Sequence, residues 1–352
     1  MRSGVSKKAT LKEVARAAGV STQTISRVVN QRPDVAEDTR LRVQKLIQEM
    51  GYQPNAIARS LITRHSQTLG VVATGLEYYG PSTMLVGIQQ EAEALGYSLT
   101  LILTHEPEKE DFSQTLFELG GQQVDGIIWA VPPVGQNRAR TIAPLIPRLP
   151  PMIFLNQPDP AFSVVAIANR QGAILAVDHL MEQGYHKIGI ITGPSQWWES
   201  SERYEGWRQA LLQKGLHPDP SLCVEGDWTA AGGERAYLAL QGRHPDLDAV
   251  FASNDQMALG VIKAAHAGGL QIPNRLGVAG FDDYPESAYF YPALTTVRQP
   301  LRELGASAVR EIVQMIRSQK ENKSEYEPKT ITLQPRLIVR TSSQKVQGGS
   351  SQ

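Results

Sequence analysis

Residues 10–61 read TLKEVARAAGVSTQTISRVVNQRPDVAEDTRLRVQKLIQEMGYQPNAIARSL. Thr10-Leu11-Lys12-Glu13 is a capping-box pattern: the Thr hydroxyl can accept from the Glu amide, and the Glu carboxylate can reach back to the amide of Thr10. Leu11, Val14, Ala15 and Ala18 then repeat at helical spacing, and Gly19 ends the helix. Ser21 is placed to cap a second helix running to about Val29, with Ile25, Val28 and Val29 as its buried stripe. A third helix begins near Ala36, with Val43, Leu46, Ile47 and Met50 on one side and Gly51 as its stop. Three short helices of this kind close a small core. Pro54 stands at a helix-start position, but 54–61 is too short to hold a helix alone and orders only when something packs against it.

At 100° per residue, Gln23, Arg27 and Asn30 lie opposite the buried stripe of the second helix, with Ser26 beside them. Two helices joined through a Gly turn, the second with such a face, form a helix-turn-helix. Gln pairs with adenine and Arg with guanine in a major groove, and Thr22 and Gln23 stand at the helix end that enters it. An exposed polar helix face has the same composition, and on these residues alone the two readings are evenly matched.

The whole chain has 352 residues with 35 Lys+Arg against 35 Asp+Glu. That zero conceals two unlike parts. Residues 1–65 carry twelve Lys/Arg and five Asp/Glu, a surplus of seven, and the remainder carries the opposite excess. The basic part has one aromatic, Tyr52. A small basic module joined to a large acidic one points to a polyanion partner for the first. One cysteine, Cys223, rules out a disulfide within the chain and fits a reducing compartment. No apolar run approaches the length of a membrane span, and MRSGVSKKATLKEV has no apolar stretch behind its basic residues. The expected location is the cytoplasm, on the nucleoid, with no membrane partner.

The segment from Thr10 to Leu61 resembles the DNA-binding headpiece and hinge of the LacI family of bacterial transcription regulators, through VSTQTISRVVN, the TRLRV stretch and the GYQPNAIARSL hinge. That resemblance implies base reading at Thr22, Gln23 and Arg27. It implies contacts to backbone or groove edge at Thr10, Ser21 and Asn30; Ser26, placed beside them by the helical spacing, joins the candidate DNA-binding set. Leu61 matches the hinge leucine that wedges into the minor groove and kinks the operator, with Asn55, Ala58 and Arg59 on the same hinge helix.

Beyond the linker His65-Ser66-Gln67, strands and helices alternate. Strand-like runs are 68–74, 97–103, 125–131 and 151–156, with helical patterns at 82–95 and 111–119. After Pro158-Asp159-Pro160 the alternation restarts with strands at 163–168, 187–192, 248–253 and 276–281. Two βαβ series divided by a Pro-rich break predict two parallel-sheet lobes. A long amphipathic helix from about Leu301 to Ile316 reads as a return of the chain between them. This region resembles the effector-binding core of the same family, which is similar to periplasmic sugar-binding proteins; the likeness covers about residues 10–341.

Ligands of such folds sit between the lobes, beyond the carboxyl ends of the strands. Asn156, Arg203, Trp228, Asn254 and Asp282 match positions that contact effector in the family, and Tyr78 and Ser82 face the same cleft from the first lobe. Of the adjacent Trp197 and Trp198, one lines the cleft while the other packs; the sequence alone does not decide between them, and Trp198 enters the candidate set. Asn254-Asp255 also reads as a helix N-cap, with Asp255 structural. Asp282-Asp283 is not a catalytic pair, since adjacent residues beyond a strand diverge.

The resulting expectation is a small all-α helix-turn-helix domain joined to an α/β two-lobed core with parallel sheets. It divides into a headpiece at 1–53, a hinge helix and linker at 54–65, a two-lobed effector-binding and dimerisation domain at 66–342 and a disordered tail at 343–352. Its expected partners are a pseudo-palindromic double-stranded DNA operator, a small-molecule effector and a second copy of the chain. One headpiece reads one half-site, and SSQKVQGGSSQ has no apolar heptad to build a tetramer. The family resemblance, and Trp228 in GDWTAAGG in particular, which resembles the lactose-repressor-like branch, implies a saccharide effector. Asn156 departs from that branch's carboxylate, and Tyr78-Tyr79 from its smaller residues. A nucleobase, a phosphorylated metabolite or a partner protein in the cleft is the alternative. No cofactor and no metal are expected: the histidines share no ligand spacing, and no P-loop, nucleophile elbow or HExxH motif of an enzyme is present.

Overall fold

The computed structural model describes residues 9–29, 32–52, 65–105, 112–132, 142, 145–321 and 326–345. The chain divides into two compact units, Met1–Ser66 and Gln67–Gln352.

The small unit contains α1 (Leu11–Ala18), α2 (Thr22–Val29) and α3 (Glu37–Glu49). The capping box at Thr10 forms as its spacing predicts. The Thr10 amide donates to Glu13 Oε2 at 2.7 Å, and the Glu13 amide donates to Thr10 Oγ1 at 3.3 Å. Gly19 then turns the chain in the left-handed region (φ 63°), where a Cβ is disfavoured. The Ser21 hydroxyl accepts from the Thr24 amide at 3.0 Å and so caps α2. Val14, Ala15, Ala18, Ile25, Val28 and Val43 form one core, against which Leu46, Ile47, Met50 and Tyr52 pack.

The large unit holds two sheets, each of six strands among the described residues. The first is built from β1 (Thr68–Ala73), β2 (Ser98–Leu103), β3 (Gly126–Ala130), β4 (Met152–Leu155), β5 (Val164–Ile167) and β11 (Thr330–Leu333), in the order β11-β5-β4-β3-β1-β2, all parallel. The second contains β6 (Ile188–Thr192), β7 (Cys223–Glu225), β8 (Ala249–Ala252), β9 (Gly277–Asp282), β10 (Thr295–Arg298) and β12 (Arg336–Ile338). Its order is β12-β10-β9-β8-β6-β7, and β12 alone runs antiparallel to its neighbour.

Alternation along the strands divides the first lobe's core into two faces. Val71, Ala73, Ile128, Ile153 and Val165 pack with α4 (Tyr79–Ala94) and α10 (Leu301–Lys320). Val72, Ile127, Trp129 and Phe154 pack with α5 (Phe112–Gly121). Burial on both faces is why these strands read as continuous apolar runs. In the second lobe, α6 (Asn169–Glu182) packs on α7 (Trp198–Gln213), and α8 (Ala230–Arg243) packs on α9 (Asp255–Ala267).

Three points differ from the sequence reading. The run at 163–168 belongs to the first sheet: β5 pairs with β4 in register Phe154↔Val164, so the Pro-rich break is a loop between neighbouring strands and the lobe boundary falls after Ile167. Parallel neighbours usually need a longer crossover, which is why the break looked like a boundary. The short strands β7, β10, β11 and β12 were not foreseen. Ser343, assigned to the tail, is fully buried, with its hydroxyl donating to Thr295 Oγ1 at 2.6 Å and 2.8 Å from His179 Nε2. Residues 346–352 lie outside the described residues.

The chain passes between lobes three times, after β5, between β10 and α10, and between β11 and β12. The return is fixed by close helix packing. A Cβ on Gly87 of α4 would lie 2.1 Å from the Arg302 carbonyl oxygen, and one on Gly305 of α10 would lie 2.3 Å from that of Met84. Gly305→Ala should therefore destabilise the core by about 1–3 kcal/mol, read as a lower urea midpoint at unchanged slope.

Candidate functional site

On the small unit, Thr22, Gln23 and Arg27 are exposed on α2, and Ser26 is half-buried beside them. Arg27 is held loosely, with Nε 3.5 Å from Asp34 Oδ2 and both side chains about half exposed, so either is free to exchange partners. Thr10 and Ser21 spend their hydroxyl oxygens on the caps of α1 and α2. Asn30, Asn55, Ala58, Arg59 and Leu61 lie outside the described residues.

In the large unit, a cavity with an empty volume of about 730 Å³, mouth included, opens between the lobes. It is lined by Tyr78 and Tyr79 from the start of α4, Asn156 after β4 and Asn169 after β5. The second lobe adds Trp197, Glu199 and Arg203 around α7, Trp228 after β7, Asn254 after β8, Asp282 at the end of β9 and Tyr284 beyond it; Gln299 lies at the crossing before α10. Two aromatic contacts span the cleft. Tyr78 meets Trp197 edge-on, with centroids 6.0 Å apart, and Tyr79 meets Tyr284 at 4.2 Å. Trp197 in turn packs edge-on against Trp228 at 6.1 Å, so one wall is aromatic.

Arg203, 5% exposed, organises the floor. Its Nε donates to Asn169 Oδ1 at 2.8 Å, and Nη1 donates to the Ser253 carbonyl at 2.5 Å. Its guanidinium stacks over Phe281, 3.9 Å from the ring centroid. Burial lowers its pKa, while Asp282 and Glu199 hold it up. Asp282 accepts from Gln299 Nε2 at 2.6 Å, and burial pushes its carboxyl up to about 6 against the pull of Arg203. The neighbouring Asp283 turns away to pair with Arg298 and Arg340, so the adjacent carboxylates diverge as the sequence suggested.

Asn254 caps α9 by accepting from the Met257 amide at 2.8 Å, and its Nδ2 donates to the Trp228 carbonyl at 2.9 Å. Its side chain thereby fixes the loop that carries Trp228. The indole Nε1 of Trp228 is buried without a hydrogen-bond partner. The ring lies so close to Gly193 that a Cβ there would sit 2.0 Å from it. Asn156 (φ 76°), Trp228 (φ 67°) and Asp282 (φ 115°) all occupy the left-handed half of backbone space. Three strained non-glycine residues around one cavity are what a functional site tends to store.

Six of the eight core candidates therefore meet at one cavity: Tyr78, Asn156, Arg203, Trp228, Asn254 and Asp282. Two do not. The Ser82 hydroxyl donates back to the Tyr78 and Tyr79 carbonyls of its own helix. Trp198 lines a separate depression with Arg170 and Glu202, and Trp197 takes the place in the cleft. Sequence reasoning missed Asn169, Glu199 and Gln299. Glu199 was findable, because it lies one helical turn before Arg203 on the same face; the other two follow strands whose lobe was misassigned or unseen. Asp255 is structural, accepting from Thr296 Oγ1, Ser287 Oγ and the Tyr284 amide.

Residues 10–55 match the family described as bacterial regulatory proteins, lacI family, and residues 177–343 match the periplasmic binding protein-like domain. The HTH-type transcriptional repressor PurR of Edwardsiella ictaluri is 33% identical over 337 residues, covering 95% of this chain and 96% of that protein. The lactose operon repressor of Escherichia coli is 30% identical over 347 residues, covering 95% of each. Among solved structures, the lac repressor bound to ONPG in its repressed state superposes with a TM-score of 0.84 at 29% identity, covering 96% of this chain and all of that one. The regulator CelR in complex with cellobiose gives 0.71 at 29% identity, covering 95% and 99%.

Behind the cavity, burial and then the nearby Asp282 push the Asp255 carboxyl up to about 7. The folded core thus holds a proton that the unfolded chain releases in the ordinary carboxylate range. Its contribution to stability is complete at low pH and is lost as pH rises towards 7. Urea unfolding at pH 5 and pH 8 should show wild type losing more stability across that interval than Asp255→Asn; equal losses would contradict the assignment.

Proposed function

The chain belongs to the LacI family of bacterial regulatory proteins, and we propose that it is a sequence-specific DNA-binding repressor whose operator affinity is set by a small ligand held between the lobes of its core. The observation that carries the ligand half is the cavity itself. A buried guanidinium, a carboxylate with a raised pKa and an indole N–H without a partner converge there on space that protein atoms leave empty. The DNA half is supported by the exposed Thr22, Gln23 and Arg27 on the second helix of the helix-turn-helix and by the surplus of seven positive charges in residues 1–65. The protein works in the cytoplasm; among the described residues, no helix is long and apolar enough to cross a membrane.

The ligand is a saccharide. Aromatic faces beside hydrogen-bonding groups suit a pyranose, whose apolar face stacks while its hydroxyls pair. The solved relatives include one with cellobiose bound. The three crossings between lobes are where the chain bends when the cleft changes width, and Asn169 and Gln299 place two of them at the cavity. A ligand that favours one interlobe angle over another shifts the population of the DNA-binding form, and one with equal affinity for both does nothing.

The active form is a homodimer, since one headpiece reads one half-site. Leu101 and Leu103 on the edge strand β2, and Tyr289 and Tyr291 beyond β9, are exposed apolar side chains that offer surface to a second copy.

Gln23→Ala should weaken binding to the operator roughly 10- to 100-fold and leave binding to unrelated DNA nearly unchanged, as read by fluorescence anisotropy. Equal loss on both would remove Gln23 from base reading. A saccharide that changes the fluorescence of Trp197 and Trp228 should also change operator affinity in gel shifts; binding without that change would sink the linkage.

A further inference from the structure

The cavity holds an acidic group that neither family resemblance nor sequence position had marked. Glu199 lies in the first turn of α7, four residues before Arg203 on the same helix face. That spacing favours an ion pair, yet none forms. Arg203 is committed to Asn169, to the Ser253 carbonyl and to the face of Phe281. Glu199 Oε2 is left buried with no hydrogen-bond partner. Opposite it, Asp282 uses one oxygen on Gln299 and has no second partner among the described residues.

A buried carboxylate oxygen without a donor is costly, because it has given up water and received nothing. A hydroxyl or ammonium of a ligand supplies the donor that Glu199 Oε2 lacks. Two carboxyl groups line the cavity against one guanidinium, which spends two of its five N–H groups on neutral acceptors. No surplus cation is left there for an anionic ligand, and in a low-dielectric cleft that balance is little screened.

Resting on the reading of this cavity as the saccharide site, we propose that Glu199 is a specificity-determining contact and that the cleft takes a non-anionic saccharide, neutral or amino-bearing, whose hydroxyl or ammonium hydrogens go to Glu199 Oε2 and Asp282. Trp228 supplies the complementary donor through its unpartnered Nε1, which a ring or hydroxyl oxygen of the sugar can accept from. A phosphorylated or carboxylated sugar meets two carboxylates and is turned away. Burial holds the pKa of Glu199 up, so a hydroxyl that donates to it, or an ammonium beside it, also favours its ionised form.

The test uses the full-length wild-type protein and matched trios of a neutral sugar, its amino analogue and its phosphate: glucose, glucosamine and glucose 6-phosphate, and the galactose equivalents. Binding is followed by tryptophan fluorescence and calorimetry. In any trio that binds, the neutral or amino member should bind at least about 100-fold more tightly than the phosphate. Glu199→Gln should weaken the preferred member roughly 10- to 100-fold and narrow its advantage over the phosphate, with a thermal melt showing that the variant is folded. A phosphate that binds more tightly than its parent overturns the inference while leaving the saccharide reading intact. So does a folded Glu199→Gln protein with unchanged affinities. A panel in which no member binds overturns both.

Discussion

The buried guanidinium of Arg203 is the interaction around which the large unit is arranged. A charge at this depth is tolerated only when its hydrogens are satisfied. The chain meets part of that condition with Asn169 at the first crossing between lobes and the carbonyl of Ser253 beyond β8, which take two N–H groups, while the ring of Phe281 within β9 covers one face. Removing any of these groups would leave a buried charge short of partners. The side chain therefore ties α7 to the strand ends of its own lobe and to the first interlobe crossing at Asn169. Because it is held by neutral acceptors, its charge is available to Asp282 and to whatever enters the cleft.

The rest of the cavity follows from that arrangement. Asn254 is occupied at both ends of its amide, capping α9 and holding the Trp228 loop, so a helix cap and a cavity wall are one structural device. Trp228 reaches its position with φ at 67° and against Gly193, where no Cβ fits. Tyr78 and Tyr79 bring the first lobe into aromatic contact with Trp197 and Tyr284 of the second. A change in interlobe angle has to break or slide these contacts.

Local patterns in the chain were legible wherever the physics is local. The capping box at Thr10, the glycine stop at Gly19 and the apolar stripes of the first three helices depend on neighbours three or four residues away. The central strands of both sheets, buried on both faces, stand out as apolar runs. Short strands did not. β10 and β12 have only four and three residues and owe their existence to pairing across the sheet, with Thr296↔Ile338 in register. The side on which β5 pairs was likewise invisible, because the Pro-rich loop before it looks the same whether it joins two lobes or two neighbouring strands.

The sequence by itself determined that a basic helix-turn-helix module is joined to an acidic two-lobed α/β core, and it named most of the residues that line the cleft at the strand ends. The architecture rests on spacing, charge and periodicity, which are properties of the chain, and the site residues on the family resemblance. Only the tertiary structure decided that Trp197 rather than Trp198 faces the cleft, that Ser82 bonds back to its own helix, and that Glu199 is left without a partner. Each of these depends on how a helix is rotated about its axis and on which groups arrive from the other end of the chain. The charges that sum to zero over the whole sequence are separated along it. Inside the cavity two carboxyl groups stand beside one arginine, and that arrangement exists only once α7 is packed beside the end of β9.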